Sequence, residues 1–164
     1  MMISDLTARG VRFVTEFGDL PSIRGDRVQL QQVLINLIVN AGDAMAERPQ
    51  SLRVLTLRTS RAEDYVQISV SDTGCGIPPG REEKIFEPYH STKPQGLGVG
   101  LSLSRSIVVA HGGRLWAQNQ SAGGAVFHVT IPQWRAKESM DASVSPATSD
   151  MALCGAGDGH QMGD

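Results

Sequence analysis

Between Asp26 and Pro49, the apolar positions of "DRVQLQQVLINLIVNAGDAMAERP" recur with a helical period. At about 100° per residue, Leu30, Val33, Leu34, Leu37, Ile38, Ala41 and Met45 cover one broad side. Val28, Ile35 and Val39 form a second side, and a narrow polar stripe separates the two: Gln29, Gln32, Asn36, Asn40, Asp43 and Glu47. Asp26 supplies an N-cap and Pro49 lies past the end. A helix apolar around so much of its circumference is expected to be largely buried.

The other segments read as strands and one more helix. "GVRFVTEF" and "PSIRG" have the look of short edge strands. "SLRVLTLRTS" and "DYVQISVSD" alternate as strands around a polar turn at Ala62–Glu63. A second helix runs from about Val99 to His111 and stops at Gly112-Gly113. "RLWAQNQ" and "AVFHVTIP" then form a hairpin around Ala122-Gly123-Gly124, ended by Pro132. This order predicts an α/β chain built as a two-layer α+β sandwich, its helices on one face of a mixed, mostly antiparallel sheet.

Beyond Gln133 the periodicity stops. Residues 134–164 are rich in Ser, Ala, Gly and Asp and cannot bury enough apolar surface to offset the entropy of ordering. They are expected to form a disordered tail or linker. A net charge of −2 gives no electrostatic footprint for nucleic acid. No apolar run is long enough to span a bilayer, and the N-terminus carries no secretion signal, so no membrane contact is expected. Cys75 and Cys154 form no metal-binding or disulfide pattern, and a cytoplasmic location is the default.

Three features carry chemistry. In "YVQISVSD", Asp72 shares parity with Val66, Ile68 and Val70 and therefore points to the buried side. A carboxylate there is expensive unless something donates hydrogen bonds to it. Gly74 and Gly76 follow, which lets a flat ligand approach the backbone. The carboxamides of the helix stripe have two readings: they bond neighbouring loops, or they offer a row of hard oxygen atoms suited to Mg²⁺. Finally, Gly96, Gly98 and Gly100 precede the second helix, whose free N–H groups and dipole suit phosphate. A dinucleotide fingerprint does not fit: the spacing is GxGxG, no strand leads straight into it, and no acid follows about 20 residues on.

"NLIVNAGDAM", "DTGCGIP", "IFEPYHSTK" and "GLGVGLSL", in this order, resemble the N box, first glycine box, F box and second glycine box of sensor histidine kinases. Their ATP-binding domain belongs to a wider ATPase family shared with DNA gyrase B, MutL and the 90-kDa heat-shock chaperone. The resemblance covers about residues 9–132 and implies the Bergerat fold, with ATP under a lid. Residues 9–133 would be the catalytic domain and residues 1–8 the remnant of an upstream helical linker. Asp72 matches the aspartate that accepts from the adenine amine, with Thr73, Gly74 and Gly76 beside it and Ile77 packed on the ring. Asn40 matches the Mg²⁺-coordinating asparagine, and Asn36 sits one turn earlier as a second metal and catalytic position. Asp43 matches an acidic position near base-binding waters. Gly96, Leu97, Gly98, Val99, Gly100 and Leu101 match the phosphate-cradling end of the lid. Lys93 matches a lid lysine offered to the γ-phosphate, and Phe86 the F-box aromatic near the surface that meets the phosphoacceptor domain.

In the hydrolytic relatives a glutamate activates water where this chain has Asn36, which cannot accept a proton at neutral pH. The resemblance therefore implies phosphoryl transfer from Mg-ATP rather than hydrolysis. His90, His111, His128 and His160 lack the setting of a phosphoacceptor histidine. That residue is expected on a separate hairpin of the parent kinase, with a response regulator downstream. The isolated domain would be monomeric and the parent a homodimer. A related serine kinase, an ATPase and a catalytically silent nucleotide-binding module remain as alternatives.

Overall fold

The computed structural model describes residues 6–88 and 98–134. β1 (Arg12–Phe17) leads to α1 (Arg27–Ala44), then β2 (Val54–Arg61), β3 (Tyr65–Asp72), α2 (Gly100–Ala110), β4 (Arg114–Asn119) and β5 (Ala125–Pro132). Single 3-10 turns occupy Gln50–Leu52 and Lys84–Phe86. The five strands form one sheet in the order β1-β2-β3-β5-β4. β1 and β2 are parallel, with α1 in the crossover connection that a parallel pair needs, and the remaining pairs are antiparallel. The expected two-layer architecture with a mixed sheet is what the chain adopts.

α1 starts where its cap predicts. The Asp26 carboxylate accepts from the N–H groups of Val28 and Gln29 at 2.8 and 3.1 Å. Val33, Leu37, Ile38, Ala41 and Met45 face the sheet, meeting a core that includes Leu55, Val70, Leu115, Phe127, Val129 and Ile131. Leu6 and Val11 join the same core, so packing extends upstream of β1.

Two expectations fail. The second apolar side of α1 is not covered: Val28, Ile35 and Val39 are 73%, 39% and 42% exposed. The helical layer is one helix deep, so only the sides of α1 toward the sheet and α2 are enclosed. "PSIRG" contributes one isolated bridge, Ile23 to Gln133, rather than a strand. Pro21 lacks an N–H and only three residues separate it from Gly25, too few to build a ladder.

α2 ends at Gly112, whose φ of +71° is the left-handed conformation expected after a helix. His111 closes that end and reaches across to α1. Its Nε2 accepts the Asp26 N–H at 3.0 Å, so the proton lies on Nδ1, which donates to the Ile107 carbonyl at 2.7 Å. His128, on the outer sheet face, stacks on Trp116 and hydrogen-bonds Ser69; burial pushes its pKa down. Both histidines have structural roles here.

Candidate functional site

β3 delivers Asp72 as its last residue, pointing inward as the alternation predicts and 2% exposed. Its Oδ1 accepts N–H groups from Gly74 at 2.8 Å and from Ala125 at 3.4 Å. Desolvation raises the carboxyl pKa, and those two donors pull it part of the way back.

The loop after Asp72 is held from three directions. Gly74 lies so close to the end of α1 that a Cβ would sit 2.6 Å from the Ala44 carbonyl oxygen. Cys75 N–H donates to that same carbonyl at 3.1 Å, and Arg48 Nε donates to the Thr73 carbonyl at 3.0 Å. The Thr73 hydroxyl turns to the start of β2, donating to the Leu52 carbonyl and accepting from Val54 N–H. Gly76 has a φ of +74°, and the Asn119 amide oxygen occupies the space a Cβ would need. Ile77 is buried and joins the core, which makes it a floor for the loop.

Asn119, Gln120 and Gly124 were missed at the sequence level. The Asn119 carboxamide hydrogen-bonds both the N–H and the carbonyl of Ile77. Gln120 Nε2 donates to the carbonyls of Asp72 and Ala125 at 2.9 and 3.1 Å. Gly124, with φ +86°, passes so close that a Cβ would lie 2.0 Å from the Asp72 carbonyl oxygen. A signal existed: Asn119 shares parity with the inward Leu115 and Ala117, as Asp72 does with Val66 and Val70.

The polar stripe divides. Asn36 Nδ2 donates to the Gly100 carbonyl and to Ser104 Oγ, both at 3.2 Å, while its Oδ1 lies 3.4 Å from Gln32 Nε2. Asn36 therefore does bond a neighbouring segment, the first reading given for the carboxamides. Asn40 is half-buried one turn on. Asp43 forms an ion pair with Arg9 at 3.2 Å. Gly98 takes a φ of +64° just before α2, and no side chain caps the helix's first turn. Among the described residues the first backbone bond of the helix is Leu103 N–H to the Val99 carbonyl, and the N–H groups of Gly100, Leu101 and Ser102 belong to its first turn. Val99 is exposed there, and Leu101 packs against the core.

Phe86, the F-box aromatic, is a core residue. It is 4% exposed, set edge-on to Phe127 with the Arg105 guanidinium over its ring. Its placement follows from the 3-10 turn, which turns the ring inward over β5. Lys93, Gly96, Leu97 and His90 lie outside the described residues.

Among the described residues, no three His, Cys, Asp or Glu side chains gather in a metal cluster. Asn36 and Asn40, one turn apart on α1, carry carboxamide oxygens of the hard kind that a divalent ion accepts.

Residues 25–135 match the family described as "Histidine kinase-, DNA gyrase B-, and HSP90-like ATPase". The chain belongs to this family. It is 47% identical over 110 residues to the sensor protein FixL of Bradyrhizobium diazoefficiens, covering 67% of this chain and 22% of that protein. It is 44% identical over 115 residues to the C4-dicarboxylate transport sensor protein DctS of Rhodobacter capsulatus, covering 70% and 18%. The chain thus spans about a fifth of the length of these curated relatives. Among solved structures, the catalytic domain of histidine kinase ThkA superposes with a TM-score of 0.71 at 34% identity, over 80% of this chain and 85% of that one. The same kinase in complex with response regulator TrrA matches at 0.68 and 30%, over 81% and 37%. Full-length ShkA in complex with AMPPNP matches at 0.72 and 28%, over 82% and 28%.

Proposed function

We propose that this domain binds Mg-ATP and donates the γ-phosphoryl group to a histidine on a separate helical hairpin of a dimeric parent kinase, in two-component signalling. The observation that carries the reading is Asp72, a buried carboxylate whose loop is built by backbone contacts too close for any residue but glycine at 74 and 124. In a family whose members bind ATP, that is the expected acceptor for the adenine amine. The response regulator named in the ThkA complex supports a response regulator as the downstream partner. A cytoplasmic location belongs to the same reading.

Asp72 would fix the base, with Thr73, Gly74 and Gly76 shaping its loop and Ile77 its floor. Asn40 would hold Mg²⁺, with the Asn36 Oδ1 nearby and Asp43 toward the base-side water. Bound Mg²⁺ neutralises phosphate oxygens. The N–H groups of Gly100, Leu101 and Ser102 point a helix N-terminus at the phosphates, stabilising charge with no reorganisation. Lys93 and the glycines at 96 and 98 would complete the cradle. Phosphoryl transfer needs chiefly this positioning and neutralisation. Asn36 has no basic atom with which to activate water, which favours transfer over hydrolysis.

The test is to mix the domain with Mg-ATP and the phosphoacceptor hairpin of its parent kinase. Acid-labile phosphate on the hairpin is expected. Binding of ATP without transfer would make this a silent nucleotide-binding module, and phosphate release without transfer would make it a hydrolase.

A further inference from the structure

Ser104 is a buried polar side chain on the inward face of α2, one turn before the apolar Val108. It lies within α2 and is 0% exposed, one of two fully enclosed polar residues among those described, the other being Asp72. Serine is a poorer helix former than alanine and competes with the backbone for hydrogen bonds. Local choices that cost stability mark places where something else is required.

The Ser104 Oγ donates to the Gly100 carbonyl at 2.9 Å and accepts from Asn36 Nδ2 at 3.2 Å. The same Nδ2 donates to the Gly100 carbonyl at 3.2 Å. Three groups therefore close on one another, and each belongs to a different part of the site. Gly100 opens the helix whose first N–H groups face the phosphates. Asn36 lies one turn before Asn40 on α1.

We infer that Ser104 is a positioning residue for the phosphate end of the nucleotide. It pins the first turn of α2 to α1, and so fixes where the Gly100–Ser102 N–H groups stand relative to Asn40. The inference rests on reading the site as a Mg-nucleotide site. Without the hydroxyl, Asn36 keeps one acceptor instead of two and Gly100 loses a donor, which frees the helix start to shift. Small displacements of positioning groups have large effects on a bound reactant. The base loop is outside this knot, held instead by Asn119 and Gln120.

The experiment measures Mg-ATP affinity of the full chain by titration calorimetry, and adenosine affinity by NMR titration. Ser104→Ala is expected to weaken Mg-ATP about 5- to 20-fold, the scale of one or two hydrogen bonds, with adenosine unchanged within about twofold. Added to Asn36→Ala, Ser104→Ala should cost less than it does alone, because the Asn36–Ser104 bond is already gone and only the Ser104–Gly100 bond remains to be lost. Val108→Ala, on the same buried helix face but with no side-chain hydrogen bond, should lower the melting temperature and leave the ratio of the two affinities alone. Equal losses for Mg-ATP and adenosine, unchanged Mg-ATP affinity, or additive losses in the double variant would each overturn the inference. Asp72→Asn separates this from failure of the site itself: if it leaves both affinities intact, the nucleotide reading falls first.

Discussion

Asn119 grips Ile77 by both ends of its backbone: its Oδ1 accepts the Ile77 N–H, and its Nδ2 donates to the Ile77 carbonyl, each at 2.7 Å. Asn119 ends β4, so the hairpin that closes the sheet also fixes the loop that begins with Asp72. Replacing it with alanine leaves two backbone groups of a buried residue without these partners. Asn119→Ala should weaken ATP binding by about 1–3 kcal/mol. Calorimetry showing wild-type affinity would detach this amide from the site.

Gly123 and Gly124 separate backbone strain from collision. Both have positive φ, +93° and +86°. A Cβ at Gly123 meets nothing within 4 Å, whereas one at Gly124 would lie 2.0 Å from the Asp72 carbonyl oxygen. Gly123→Ala should therefore cost only about 1–2 kcal/mol of strain. Gly124→Ala should cost at least twice that or prevent folding, because a backbone carbonyl cannot step aside. Urea melts of the two variants settle the ordering, and equal midpoints would contradict it.

Burial raises the Asp72 pKa above its ordinary 3.8. The proton is then held more tightly in the folded domain than in the unfolded chain. The stability this confers on the nucleotide-free protein is complete below pH 3.8 and is lost as pH rises through the folded value. Nucleotide affinity runs the other way, since the adenine amine needs an ionised acceptor. Affinity for ATP should fall as pH drops through that raised value, and Asp72→Asn should abolish this acid limb along with about 2–4 kcal/mol of binding. A profile that stays flat as the pH is lowered to 3.8 and below in the wild-type chain would contradict the assignment.

Asn40→Ala should remove the Mg²⁺-dependent part of ATP binding and leave adenosine binding nearly intact, because Asn40 lies on the phosphate side of the proposed site. Equal losses for the two ligands would place Asn40 at the base or in the core instead.

The unmodified domain should turn over ATP far more slowly than once per second, since Asn36 offers no base. Asn36→Glu is expected to disturb the site rather than create a hydrolase: a carboxylate would replace the donor that faces the Gly100 carbonyl and Ser104. Phosphate release assays on both proteins check this. Hydrolysis gained by the glutamate variant, on the about 10²–10⁴-fold scale of a general base, would show that the helix start tolerates the exchange.

Local rules determined much of this protein. Asp26 caps α1, Gly112 stops α2, and the alternation of β3 sends Asp72 inward, each a consequence of neighbours a few residues away. The four boxes named the family because their order and spacing lie in the chain itself. The sheet order was not legible. That β1 lies parallel to β2 while β5 inserts between β3 and β4 depends on contacts made by residues far apart in sequence.

Only the tertiary structure decided what several polar residues do. Asn36 bonds the Gly100 carbonyl and Asp43 meets Arg9, partners 64 and 34 residues away that no helical wheel can supply. Val28, Ile35 and Val39 show the same limit from the other side. Periodicity records which positions share a helix face, and the number of layers packed around the helix decides whether that face is covered.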